Sequence, residues 1–280
     1  MFPVQFDRPI TATIKRRYSC RSYLNGELEE WINQKFAPFL TEPLTGIWGS
    51  TIRIKLLKMS QANQERVRLG TYGFISGARE FFVGIINSST ALIEFGHLFE
   101  QLILYATEIG LGTCWLGGSF TRSTFSKAAR LQPDEYIPAI SPVGFIASDV
   151  TIRERVLRKL TAANNRKPWE MLFFDSELQP LTPEKAGSYA EPLEMVRLAP
   201  SASNKQPWRI VQNHQNYHFY LKRTPKYWQT NQIDLQQIDL GIALCHFELT
   251  AREKLLRGNW KRIKPDLPVP QDWEYIASWN

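Results

Sequence analysis

The chain has 280 residues, 43% of them hydrophobic, with a formal net charge of +7 and three cysteines. That length holds one large domain or two of ordinary size, and the apolar fraction supports a sizeable core, which excludes general disorder. The Lys and Arg residues are scattered, with no dense basic run, zinc-finger spacing, RNP-like aromatic signature or GxxG clamp. The charge therefore suits phosphate-bearing small molecules better than nucleic acid.

The opening segment, MFPVQFDRPI, has no charged region followed by an apolar run, so no secretory signal is expected and the expected compartment is the cytoplasm. Residues 27–39 place Leu28, Trp31, Ile32 and Phe36 at helical spacing. Residues 51–59 alternate Ile52, Ile54 and Leu56 like a strand, and 79–86 is a compact apolar run predicted as a buried strand. A long amphipathic helix is predicted over 91–109, stopped by Gly110. The longest apolar stretch, Leu98 to Leu111, is broken by Glu100 and Glu108 and is too short to span a membrane. Another buried strand is expected at 137–147.

The order then repeats. A Pro-started helix is predicted at 183–197, a hairpin at 208–212 and 216–222, a long helix over 232–257 stopped near Gly258, and a final EYIASW that echoes the earlier EYIPAI. Arg17 and Arg166 lie 149 residues apart, Gly110 and Gly258 148 apart, and Tyr136 and Tyr275 139 apart. Repeats of that length are domains or half-domains. The expected division is 1–150 and 151–280, with the joint at 148–165. Cys20, Cys114 and Cys245 are too sparse for a disulfide framework and read as reduced thiols. His214 and His218 have a metal-like spacing but lie in an alternating run without further ligands, so no metal site is expected.

Three segments carry chemistry. In Arg17-Tyr-Ser19-Cys-Arg21, alternate residues of an extended backbone share one side, so two guanidinium forks and a hydroxyl converge on one point suited to a phosphate. Taken alone, the run reads more simply as basic residues at an exposed helix end. In Gly110-Leu111-Gly112-Thr113-Cys114-Trp115-Leu116-Gly117-Gly118, four glycines permit close backbone approach to a ligand, whereas a helix cap accounts for only one of them. The third segment, Ala199 to Trp208 (APSASNKQPW), sets Pro200, Ser201, Ala202 and Asn204 in a Pro-bounded polar loop before a strand, as an ordinary turn cluster or as a cradle for a heterocycle.

Together these segments resemble three signatures of the nitroreductase family. The resemblance implies an α+β fold, one FMN as cofactor, and an oxidoreductase that passes electrons from NAD(P)H through flavin N5 to a nitroaromatic, quinone or similar small acceptor. It implies Arg17, Ser19 and Arg21 at the phosphate and ribityl end. Pro200, Ser201, Ala202 and Asn204 would lie on the flavin from the other half, with the backbone of Leu111 and Gly112 near its N5/O4 edge, and Arg153 or Arg155 as a further phosphate contact. No acid, base or nucleophile is implied as catalytic. The usual members are homodimers with the signatures in one subunit. Here residues 40–51 (LTEPLTGIWGST) lack the Pro-Ser-Asn loop, which occurs only in the second half. Two related α+β halves fused as an internal pseudo-dimer, with one interfacial site retained, account for that partition and permit a monomer. Rival expectations are an FMN-binding sensor or store without turnover, or a different FMN reaction on the same fold.

Overall fold

The computed structural model describes residues 3–64, 69–147, 165–225, 227 and 233–280. Most of the proposed joint, together with Arg153 and Arg155, lies outside these residues. The helices in chain order are α1 (Ile10–Arg16), α2 (Glu30–Gln34), α3 (Ala37–Leu40), α4 (Met59–Gln64), α5 (Leu92–Glu108), α6 (Arg122–Ala129), α7 (Pro183–Ala186), α8 (Ala190–Leu198) and α9 (Leu235–Glu253). The strands are β1 (Ser22–Gly26), β2 (Leu44–Thr45), β3 (Thr51–Lys58), β4 (Ser76–Ala78), β5 (Glu80–Ile85), β6 (Gly112–Thr113), β7 (Ile140–Gly144), β8 (Phe173–Phe174), β9 (Trp208–Asn213), β10 (Asn216–Lys222), β11 (Trp260–Lys261) and β12 (Trp273–Trp279).

The two halves repeat one plan. One five-stranded sheet runs β2-β3-β5-β7-β6, the other β8-β9-β10-β12-β11, and a short parallel pair, β1-β4, stands apart. In each sheet the long helix falls between the third strand and the final pair. The halves differ at one edge, where β2 is antiparallel to β3 but β8 is parallel to β9. Each sheet buries apolar side chains on its long helix, and one core cluster runs through both halves, from Phe82, Phe95 and Phe99 to Phe219 and Phe247.

Close packing of α5 on α9 joins the halves. A Cβ on Gly241 would collide with the Ile93 carbonyl, and one on Gly96 with the Ile238 carbonyl. These reciprocal contacts fix the register between halves at 145 residues, and the helix ends obey it. Leu111 donates to Ala106 at 2.9 Å and Leu256 donates to Ala251 at 2.9 Å. Gly110 at φ 91° is therefore matched by Leu255 at φ 58°, and Gly258 is not its counterpart. An αL stop forms at Leu255 despite the steric cost of a side chain there, because the same carbonyl cap is made.

Buried histidine–carboxylate hydrogen bonds join the two helices in both directions. His97 Nε2 lies 2.9 Å from Glu248 Oε2, and His246 Nε2 lies 3.0 Å from Glu100 Oε1. Each carboxylate also accepts an indole N–H, Glu100 from Trp115 at 2.6 Å and Glu248 from Trp260 at 2.9 Å. Burial pushes the Glu248 carboxyl up, but hydrogen bonds and charge from His97 and Arg252 overcome this and bring it down to about 2. An unfolded Glu titrates near about 4.3, so this contribution is complete above that pH and is lost as pH falls through about 2. Glu248→Gln should accordingly flatten the dependence of the urea midpoint on pH between those values; an unchanged slope would assign the acid sensitivity to other groups.

Two predicted helices are interrupted. The 27–39 helix splits into α2 and α3, because Pro38 supplies no N–H to continue the ladder and sits instead in the first turn of α3. The 183–197 helix breaks at Gly187, whose φ of 57° and ψ of −126° no helix accommodates. The other predicted elements form within a few residues of their expected bounds. Among the described residues no helix is long and apolar enough to cross a membrane, and no group of three or more His, Cys, Asp or Glu could hold a metal ion.

Candidate active site between the halves

The chain leaves α1 at Arg17 in an extended conformation (φ −62°, ψ 132°), and Ser19 pairs as an isolated bridge with Thr113. Extended backbone puts residues i, i+2 and i+4 on one side. Arg17, Ser19 and Arg21 all line a cavity of about 510 Å³, whose opposite wall is Pro200, Ser201, Ala202, Ser203 and Asn204 from the second half. The two distant signatures thus meet across the junction. Ile14, Trp115, Leu235, Ile238 and Ile242 supply apolar wall.

The Arg17 side chain is 6% exposed, and its one ion-pair contact among the described residues is Nε to Glu100 Oε1 at 3.9 Å. Its Nε has no hydrogen-bond partner. Burial lowers the Arg17 pKa, with the Glu100 charge opposing. Arg166 lines the same cavity, and burial followed by the charges of Arg17 and Arg197 brings it down to about 10. Two desolvated guanidinium groups that repel one another create a positive potential that an anion in the cavity would relieve.

The second-half loop holds an unusual backbone. Ser203, Asn204 and Gln206 have φ of 49°, 54° and 47°, a region that side chains disfavour. Its polar groups brace it. Arg166 donates to Asn204 Oδ1 at 3.0 Å and to the Leu198 carbonyl at 3.0 Å, Asn204 Nδ2 donates to the Asn165 carbonyl at 2.7 Å, and Gln206 N donates to Ser201 Oγ at 2.9 Å. Asn204 thus lines the cavity with its amide already engaged on the loop. Such a wall is set before any ligand arrives, which lowers the ordering cost of binding.

Leu111 and Gly112 are not among the residues lining the cavity. Both are buried, Gly112 pairs with Gly144 in the sheet, and a Cβ there would press on Cys20 and Ile146. That glycine allows close packing behind the Arg17–Arg21 run. From the same segment it is Trp115 and Gly117 that reach the cavity.

The 145-residue register locates the corresponding place in the other half, and there side chains of this chain meet one another. The counterpart of Asp239 is Glu94, one methylene longer. It accepts from Trp48 N at 2.6 Å and Ser50 N at 3.3 Å, and also from Ser50 Oγ. It occupies the position that a side chain on Gly46 would need. The counterpart of cavity-lining Gly117 is Arg262, whose guanidinium stacks 3.7 Å from the Trp48 ring centroid. The loop that lacks the Pro-Ser-Asn signature, residues 40–51, supplies the plug.

Sequence reasoning missed Arg166 as a cavity residue, along with Trp115, Ile238, Ile242 and Asp239. A readable signal existed for the last: Ile238-Asp-Leu-Gly241 repeats Ile93-Glu-Phe-Gly96 at the crossing.

The chain is thus an α+β fold of two similarly built halves with a basic, apolar-walled cavity between them. The chain belongs to the family described as "Putative TM nitroreductase", whose model matches residues 9–251. Among solved structures, a Thermotoga maritima MSB8 protein described as a "putative nitroreductase" is 21% identical with a TM-score of 0.60, the match covering 99% of this chain and 94% of that one. An FMN-dependent nitroreductase from Clostridium difficile R20291 is 18% identical, covering 50% of this chain and 88% of that one, with a TM-score of 0.38. A nitroreductase with bound FMN from Desulfitobacterium hafniense DCB-2 is 19% identical over 51% and 92%, with a TM-score of 0.40. No curated protein matches the chain.

Proposed function

We propose that this protein is an FMN-dependent oxidoreductase that takes electrons from NAD(P)H and delivers them to a nitroaromatic, quinone or similar small acceptor. The observation that carries the reading is the convergence of buried Arg17 with Ser19, Arg21 and Arg166 on a cavity faced by the Pro200–Asn204 loop. A buried guanidinium with so few partners fits a phosphate, which accepts charge-assisted hydrogen bonds in a fork geometry. The volume and the Trp115, Ile238 and Ile242 wall fit a planar ring of flavin size.

The chemistry FMN supplies when bound is hydride acceptance from a nicotinamide and onward electron transfer to the acceptor. The chain's own residues bind and orient. Arg17, Ser19 and Arg21 would take the phosphate and ribityl end, and Arg166 would add to the positive charge there. Pro200, Ser201, Ala202 and Asn204 close the opposite wall, while Leu111 and Gly112 support the Arg17–Arg21 run from behind. Trp115, its N–H fixed on Glu100, keeps one wall dry. No side chain is required as acid or base.

The plugged counterpart limits the chain to one cofactor. Protein incubated with FMN and desalted should retain about one FMN per chain by absorbance, and should then oxidise NADH or NADPH when an acceptor such as a quinone is added. Two FMN per chain would show that the Trp48–Arg262 plug opens. Retention without turnover would favour a sensor or store.

A further inference from the structure

Asp239 stands apart from the rest of the cavity wall. It is 3% exposed at the start of α9, and its Oδ1 accepts the Ala202 N–H at 2.8 Å. Its Oδ2 is buried without a hydrogen-bond partner. Among the described residues no ion pair joins the Asp239 carboxyl to Arg17 or Arg166. At the equivalent position Glu94 has both oxygens satisfied by its own loop. Asp239, on the cavity wall, therefore leaves one carboxyl oxygen unspent, and Glu94 at the equivalent position does not. An unmade buried hydrogen bond is a substantial penalty, retained where a ligand completes it.

We infer that Asp239 is a specificity-determining residue of this site, whose Oδ2 donates a hydrogen bond to a carbonyl oxygen on the ring of the bound flavin. The inference rests on the flavin reading above and deepens it. Donation requires the neutral acid, and the surroundings supply it. Burial raises the Asp239 pKa well above the usual range against the opposing Ala202 N–H, and the charge of Asp234, the cap of α9, adds to the rise. Tyr227 is held neutral by burial, with the Asp239 charge acting in the same direction, and Arg17, Arg21 and Arg166 line the same cavity. The ligand selected has an anionic group at the arginines and a ring carbonyl at a separate point, which flavin mononucleotide combines. A ligand with a second anion at that point is rejected.

The test is titration of the full-length protein with FMN, followed by quenching of flavin fluorescence, for wild type, Asp239→Asn and Asp239→Leu. Asn keeps an acceptor for the Ala202 N–H and places an N–H donor where the acid proton stood. It should bind FMN within about threefold of wild type, whereas Leu should bind roughly tenfold or more weakly. Relative to the Asn variant, wild-type affinity should also fall as pH rises through the raised carboxyl pKa. Thermal melts of both apo variants separate a ligand effect from a folding one. Leu binding as tightly as wild type, or Asn binding as weakly as Leu, would overturn the assignment. Wild-type protein that binds neither FMN nor FAD would instead remove the flavin reading itself, and this inference with it.

Discussion

Arg17→Ala is expected to weaken FMN binding roughly tenfold to hundredfold, the range for losing one or more charge-assisted hydrogen bonds to a phosphate. The apoprotein should not be destabilised in proportion. The guanidinium is buried, its Nε makes no hydrogen bond, and its ion-pair contact is a 3.9 Å approach to Glu100. Glu100 keeps His246 and Trp115 after the substitution. Desolvating a cation costs several kcal/mol, which so distant a contact repays poorly. The melting temperature of the apo variant should therefore match or exceed that of wild type, while the stabilisation produced by added FMN shrinks. Fluorescence titration and thermal melts with and without FMN check both halves of the expectation. Wild-type affinity in Arg17→Ala would place the phosphate elsewhere. A collapse of the apo melting temperature would make Arg17 chiefly a structural partner of Glu100.

Gly241→Ala is expected to be strongly destabilising. Two opposed effects decide its sign. Replacing Gly by Ala inside a helix gains about 1 kcal/mol from propensity. The new methyl, however, would land on the Ile93 carbonyl, 2.8 Å from the His97 nitrogen and 2.9 Å from the Gly96 Cα. All three are backbone atoms of α5, so no rotamer relieves the clash and the helices must separate. Overpacking of this kind costs about 1–3 kcal/mol and more where backbone is the obstacle. A net loss of about 2 kcal/mol or more in urea unfolding follows, with FMN binding impaired because Ile238 and Ile242 ride on the same helix. Gly26→Ala, where nothing lies within 4 Å of the new methyl, is the control and should change stability little. Equal midpoints for the two variants would mean that the crossing yields more easily than its geometry indicates.

The amino-acid sequence determined a good deal. Alternation in 51–59, the compact apolar run within 79–86, the hairpin at 208–212 and 216–222 and the long helical segments at 91–109 and 232–257 pointed to the strands and central helices, because period 2 and period 3.6 are local properties of burial. The three signatures identified the family, and their unequal distribution pointed to one site built from two halves. What the sequence left undecided depended on distance in space. Short edge strands such as β2, β6, β8 and β11 have too few residues for a period to register and exist only through their neighbours in a sheet. The 145-residue register emerged from two glycines meeting across a helix crossing, a contact no one-dimensional pattern displays. The glycine-rich segment shows the same limit. Its composition suggested backbone lying on a ligand, but packing against Cys20 places Leu111 and Gly112 behind the wall and brings Trp115 and Gly117 to the front. Glu94 and Asp239 differ by a single methylene. Only the fold shows that one completes a plug and the other leaves an oxygen free, because hydrogen-bond satisfaction is set by what the chain brings within 3 Å, from residues scores of positions away.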